Sequence, residues 1–532
     1  MSDQGTAAAS PLFPQDYRSS GLLFHITSLP SPYGIGDLGP EAYTWIDRLH
    51  EAGQGWWQML PVGPTGYADS PYQCLSSFAG NGLLISPDFL IEDGLLRIDD
   101  CRGSFSATSV DYDVVIPFKH RLLELAWTSF QGGARKDLRP SYEDFCHSRA
   151  GWLDDYALFR ALKIKYNSAP YLKWPKDLVQ RVPSALARAR QNVAEKVDQI
   201  RFAQFLLFRQ GNNVKDYARA KGVRLIGDLP FFVSPDSSDV WANPELFLLD
   251  AHRQPSVVAG VPPDYFNAQG QLWGNPVYDW DAHRRTGYRW FIDRIRALLA
   301  HVDVIRLDHF RAFAAAWHVP AGAPTGESGQ WVPGPGATLF SALESGALQS
   351  SVPQSTPGCL PFIAEDLGHI TPDVSALRDR FQIPGTRVLQ YAFDGSPANN
   401  HLPHSCGADT VLYTGTHDNP TTREWFGALP DRERRDIWNY LRRAEGETRD
   451  AAPELIRLAW SSPAALAITS LQDLLNIGRE GRMNVPGRAN GNWRWRATPH
   501  MLSAGGFQWL RELTELCERS AVAGLPRTRG AS

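Results

Sequence analysis

Three carboxylates close short apolar runs: Asp308 in Val-Ile-Arg-Leu-Asp-His, Glu365 in Pro-Phe-Ile-Ala-Glu-Asp and Asp418 in Leu-Tyr-Thr-Gly-Thr-His-Asp. A carboxylate beside apolar neighbours is costly unless it is paired or has chemistry to perform. Acids at successive strand ends of a parallel barrel converge on one mouth. A converging pair, one nucleophile and one proton donor, is what cleavage of a glycosidic bond requires.

Each acid has a competing reading. Residues two apart on a strand share a face, so Arg306 would stand beside Asp308 and favour the ionised form a nucleophile needs; the alternative is a structural ion pair. The apolar run before Glu365 would raise its pKa and let it hold a proton near neutrality. Alternation sends only one of Glu365 and Asp366 inward, and Asp366-Leu-Gly reads as the following turn. Asp418, with His417 beside it, could bridge sugar hydroxyls or form an Asx turn that caps the next helix. Asp228, ending Leu225-Ile-Gly, could contact sugar or hold Arg306, and both readings stay open.

Positioning these residues requires strands. Eight apolar runs qualify: Gly21–His25, Trp56–Leu60, Val223–Asp228, Val304–Asp308, Phe362–Glu365, Arg387–Tyr391, Val411–Thr414 and Leu466–Leu471. Eight such runs with helical or loop segments between them predict a (β/α)8 TIM barrel, whose active site lies at the C-terminal strand ends. The barrel is expected to span 17–523 as one catalytic domain. A mainly helical insertion interrupts it at about 86–220, and irregular loops at about 234–278 and 312–355. The aromatic, Asn/Asp-rich segment Ser234–Tyr278 suits a lid over substrate. Residues 1–16 and 524–532 read as disordered tails.

Composition narrows the partners. The net charge is −4 with no block of like charges, which excludes a nucleic-acid footprint. Eighteen tryptophans exceed what a core needs, and flat aromatic faces suit sugar rings. Six cysteines without C-x-x-C spacing read as free thiols of a reducing compartment. With no basic-then-apolar leader and no run near the roughly 20 apolar residues of a membrane span, a cytoplasmic location is expected. Gly34-Ile-Gly-Asp-Leu-Gly39 fits the G-x-G-x-x-G pattern. However, two prolines separate it from the preceding strand and no ribose-binding acid ends the next one, so it reads as a tight turn before a helix at Pro40. No metal-site pattern and no G-x-S-x-G elbow is present, and neither metal nor cofactor is expected.

Longer stretches carry a resemblance. Among them are His25-Ile-Thr-Ser-Leu-Pro-Ser-Pro-Tyr-Gly-Ile-Gly-Asp-Leu-Gly, Asp69-Ser-Pro-Tyr-Gln, Asp239-Val-Trp-Ala-Asn-Pro-Glu-Leu-Phe and Gly270-Gln-Leu-Trp-Gly-Asn-Pro. Ile305-Arg-Leu-Asp-His-Phe-Arg, Ala364-Glu-Asp-Leu-Gly, Gly415-Thr-His-Asp-Asn, Arg482-Met-Asn-Val-Pro-Gly and Asn492-Trp-Arg-Trp-Arg complete the set. The chain resembles the 4-α-glucanotransferases (amylomaltases, or disproportionating enzymes) of glycoside hydrolase family 77, related to the α-amylase clan. The resemblance implies Asp308 as nucleophile, Glu365 as acid/base and Asp418 as transition-state stabiliser. It further implies sugar contacts from Tyr72, Asp228, Asp264, Gln271, Trp273, Arg306, His309, His417 and Asn484. Ala312, Pro420 and Gly82 depart from the family pattern and bear on loop shape and acceptor preference. The implied reaction is disproportionation of maltodextrins with retention of configuration, between an α-1,4-glucan donor and acceptor. The alternatives are an α-1,4-glucan hydrolase of the amylase type and a catalytically silent glycan-binding protein.

Overall fold

The computed structural model describes residues 11–263, 268–347, 359–503 and 505–520. Its strands are β1 (Ser19–Leu23), β2 (Trp56–Gln58), β3 (Arg224–Leu229), β4 (Val257–Val261), β5 (Gln271–Pro276), β6 (Val304–Leu307), β7 (Ala315–Pro320), β8 (Gln330–Pro333), β9 (Phe362–Ala364), β10 (Gly385–Val388), β11 (Thr410–Tyr413) and β12 (Leu466–Ser470). Eight of them close into a parallel barrel in the order β1-β12-β11-β10-β9-β6-β3-β2.

Each apolar run read as a strand forms one barrel strand, its ends displaced by up to three residues. The reason is burial on both faces, which a parallel barrel imposes. Every residue of β1, β2, β6, β9 and β11 is buried. The largest displacement is at β10, where Leu389–Tyr391 winds into a 3-10 turn. Only glycine fits at position 21, because an added Cβ would stand 2.5 Å from the Trp56 carbonyl oxygen on the neighbouring strand. The Gly34–Gly39 turn leads into the helix Pro40–Glu51, and a Cβ at Gly36 would meet the Ile26 carbonyl oxygen at 2.1 Å.

Between β2 and β3 lie the helices Pro87–Glu92, Tyr112–Gln131, Arg139–Lys165, Pro183–Asn192 and Ala194–Ala220. The last of these packs on β3 and on Pro40–Glu51, so it serves the outer ring of the barrel.

Three expectations are corrected. The segments 234–278 and 312–355, read as irregular loops, contribute β4, β5, β7 and β8, which form an antiparallel sheet in the order β5-β4-β7-β8. Gln271-Leu-Trp-Gly-Asn-Pro has loop composition, and it is extended because it pairs with β4. Residues 11–16, read as part of a tail, are anchored by Phe13, which is 4% exposed and stacks on Tyr17 at 5.0 Å. Residues 1–10 and 524–532 of the expected tails lie outside the described residues. Among the described residues, no helix is long and apolar enough to cross a membrane.

Candidate active site

Asp228 lies on β3, Asp308 directly follows β6, Glu365 directly follows β9, and Asp418 sits on the loop after β11. All four therefore stand at the C-terminal mouth of the barrel. Parallel register sets Asp228 opposite Arg306 on the neighbouring strands, while Ile305 and Leu307 turn into the packed layer and are 0% and 1% exposed.

Arg306 organises the floor. Its Nη1 donates to both Asp228 oxygens at 2.9 Å and to Asp308 Oδ1 at 3.0 Å. Burial opposes the guanidinium charge, but Asp228 and Asp308 outweigh it and raise the Arg306 pKa well above its ordinary value. The Asp228 side chain is fully buried and also accepts from the Tyr72 hydroxyl at 2.7 Å. Of its two open readings, this geometry supports the one in which Asp228 holds Arg306. Asp308 keeps 28% of its side chain exposed at the mouth.

Glu365 is held from the Asp308 side of the cleft. The backbone N–H of His309 donates to Glu365 Oε2 at 2.7 Å, and that of Leu367 to Oε1 at 3.2 Å. His309 adopts φ +51°, a left-handed turn uncommon outside glycine, immediately after Asp308. Burial pushes the Glu365 carboxyl up to about 8; Asp308 adds to the rise, while Arg306 and the His309 amide oppose it. Asp366 points elsewhere, accepting from Arg378 at 2.6 Å and from the Thr386 N–H at 2.7 Å.

Asp418 is more open, with 48% of its side chain exposed. It accepts from Asn484 Nδ2 at 2.7 Å and lies 3.4 Å from His417 Nε2. His417 stacks on Tyr72 at 5.1 Å and 15°, which ties Asp418 through Tyr72 to the Asp228–Arg306 floor. On the other flank, Trp273 on β5 packs edge-on to His309 at 4.9 Å and donates its Nε1 to Gln271 at 3.0 Å. Burial lowers the His309 pKa to about 4, so the ring facing Trp273 is neutral at pH 7. Asp264 lies outside the described residues.

Two aromatic residues at the site were not singled out from the sequence. Trp493 tilts against both Tyr72 and His417, at 5.9 and 6.0 Å. Tyr391, 41% exposed, accepts from Asn419 Nδ2 at 2.9 Å. Trp493 lies within the Asn492-Trp-Arg-Trp-Arg motif, which was its available signal. Tyr391 was hidden as the end of a strand run.

A closed parallel barrel with acids gathered at its C-terminal mouth is the architecture of a sugar-active TIM-barrel enzyme. The chain belongs to the 4-alpha-glucanotransferase family, whose model matches residues 24–502. It is 46% identical over 508 residues to the 4-alpha-glucanotransferase of Synechocystis sp., covering 95% of this chain and 98% of that one. It is 45% identical over 510 residues to the 4-alpha-glucanotransferase of Thermus thermophilus, covering 94% of this chain and 99% of the other. Among solved structures, amylomaltase from Streptococcus agalactiae in complex with acarbose superposes with a TM-score of 0.89 at 36% identity, covering 94% of this chain and 100% of that one.

Proposed function

We propose that this protein is a 4-α-glucanotransferase that moves α-1,4-glucan segments between maltodextrin chains by double displacement. The observation that carries the reading is the coupling of Asp308 and Glu365. The residue after the first donates its backbone N–H to the carboxylate of the second, while Arg306 neutralises the floor beneath them.

Glu365, protonated at neutral pH because of its raised pKa, donates to the glycosidic oxygen. Asp308 attacks the anomeric carbon; the C–O bond to the leaving chain breaks and a glycosyl–Asp308 ester forms with inversion. The leaving chain departs with the proton. The 4-hydroxyl of a second glucan then enters, Glu365 takes its proton, and the new C–O bond forms as the ester to Asp308 breaks, with a second inversion that restores the α configuration. Asp418, aligned by Asn484, is placed to hold the hydroxyls of the reacting ring. His417, Tyr72, His309, Gln271 and Trp273 line the remaining walls. No step calls for a metal or cofactor, and the cysteine pattern, with all six thiols free, supports a cytoplasmic setting.

Transfer prevails over hydrolysis only if the acceptor outcompetes water, which demands bound acceptor contacts and a covered intermediate. The β5 segment that carries Trp273 is the cover. The test is incubation with maltotriose followed by chromatography. A ladder of longer and shorter oligosaccharides with constant total reducing ends is expected. A steady rise in reducing ends would instead establish an amylase-type hydrolase.

A further inference from the structure

A second cleft lies away from the acids. It has a volume of about 670 Å³ and opens between the helices Arg139–Lys165, Ser238–Ala242 and Arg289–Leu299. Ser76 and Phe78 line it, and the same two residues line a smaller cavity that reaches Tyr72 and Asp228. No residue assigned to the chemistry lines the cleft itself. Its volume lies within the range of small-ligand sites.

Its lining favours a neutral, hydroxyl-rich ligand. Trp152 is half-buried and fixed by stacking on Phe78 at 6.2 Å and 16° and on Phe208 at 5.9 Å and 25°. Trp290 packs edge-on to Phe78 at 5.7 Å. Aromatic faces immobilised in this way lose little entropy when a ring settles on them. Three arginines stand against four carboxylates, and Asp293 already pairs with Arg296 at 3.1 Å and Arg289 at 3.7 Å. With the charges offset, the cleft selects neither an anion nor a cation, yet it presents many donors and acceptors.

We infer that this cleft holds a short stretch of α-1,4-glucan without reacting with it, an inference that rests on the glucan-transferring reading above. A long chain anchored there has a higher effective concentration at the barrel mouth, whereas a short one gains little.

Gly151 supplies the test. It lies on the cleft-lining face of Arg139–Lys165, and a Cβ there meets nothing within 4 Å. The Cβ of Gly151→Gln is therefore accommodated freely, its longer side chain takes up cleft volume, and replacing a mid-helix glycine does not weaken the helix. Trp152→Ala removes the platform directly. In an Asp308→Asn background, where maltotriose is not consumed, calorimetric titration with maltotriose is expected to show two sites, falling to one when either substitution is added. A single site in the Asp308→Asn protein, or two sites persisting in both double variants, overturns the inference. With Asp308 intact, Gly151→Gln is expected to raise the KM for amylose about threefold while kcat/KM for maltotriose stays unchanged. An unaltered amylose KM overturns the tethering role. Failure of the wild-type protein to rearrange maltotriose at all would strike the glucan reading itself, and is seen before any cleft variant is made.

Discussion

Glu365 and Asp308 occupy different chemical situations just past the ends of neighbouring strands. Glu365 is half-buried and its carboxyl is pushed up to about 8 by desolvation, whereas Asp308, also half-buried, is paired with Arg306. Glu365→Gln removes the proposed acid of the leaving group and is expected to lower kcat by about 10²–10⁴-fold. In the wild type, kcat/KM should fall as pH rises through about 8, where Glu365 loses the proton it must donate. Stability carries the same signature. An unfolded glutamate titrates near 4.5, so between 4.5 and about 8 the folded state holds a proton that the unfolded state has released. Folding therefore weakens as pH rises through that window. Thermal melts of Glu365→Gln should lose less Tm between those two pH values than the wild type does. An identical slope would show that Glu365 is not the protonated group. Asp308→Asn removes the proposed nucleophile and should cut transfer by at least about 10³-fold, roughly 4 kcal/mol of barrier; an active variant would revive the reading of a chain whose acids are not catalytic.

At the scale of elements, the antiparallel sheet decides how the barrel is used. β5 brings Trp273, 36% exposed, over His309, and the site gains a wall that the barrel strands cannot supply. Trp273→Ala is expected to raise the ratio of hydrolysis to transfer on maltotriose, read as reducing ends formed against glucose released. An unchanged ratio would remove the sheet from the exclusion of water. The turn after β1 has a separate duty. Because a Cβ at position 36 would run into the Ile26 carbonyl, Gly36→Ala should cost about 1–3 kcal/mol by overpacking, measured by denaturant unfolding. This turn packs backbone against backbone.

Across the whole molecule, the insertion is tied to the barrel by a buried charge pair. Lys119, on the insertion helix Tyr112–Gln131, donates to Asp37 at 3.0 Å and to the Ile85 carbonyl at 2.8 Å. The two side chains are only 2% and 5% exposed. Burial lowers the Lys119 pKa and raises that of Asp37, each opposed by the partner's charge. Removing one partner strands the other charge, so Lys119→Met should destabilise by about 3–5 kcal/mol. Adding Asp37→Asn should recover part of that loss. A double variant no more stable than Lys119→Met would mean the pair acts through packing alone.

The chain's own order of residues determined the barrel, because a strand buried on both faces must be written as a short apolar run ending where the mouth begins. That pattern placed Asp308 and Glu365 at strand ends, and Asp418 on the loop that follows one, without reference to any neighbour. Partners chosen across the mouth were a different matter. Asp228 and Arg306 are 78 positions apart, and whether such an acid meets a sugar or a guanidinium depends on register and twist, which no local window contains. The same reason hid the sheet: Gln271–Pro276 lacks strand composition and becomes extended only once β4 lies alongside. Tertiary structure alone decided which acid faces its lattice of backbone donors, which serves as the arginine's counterion, and what covers the mouth.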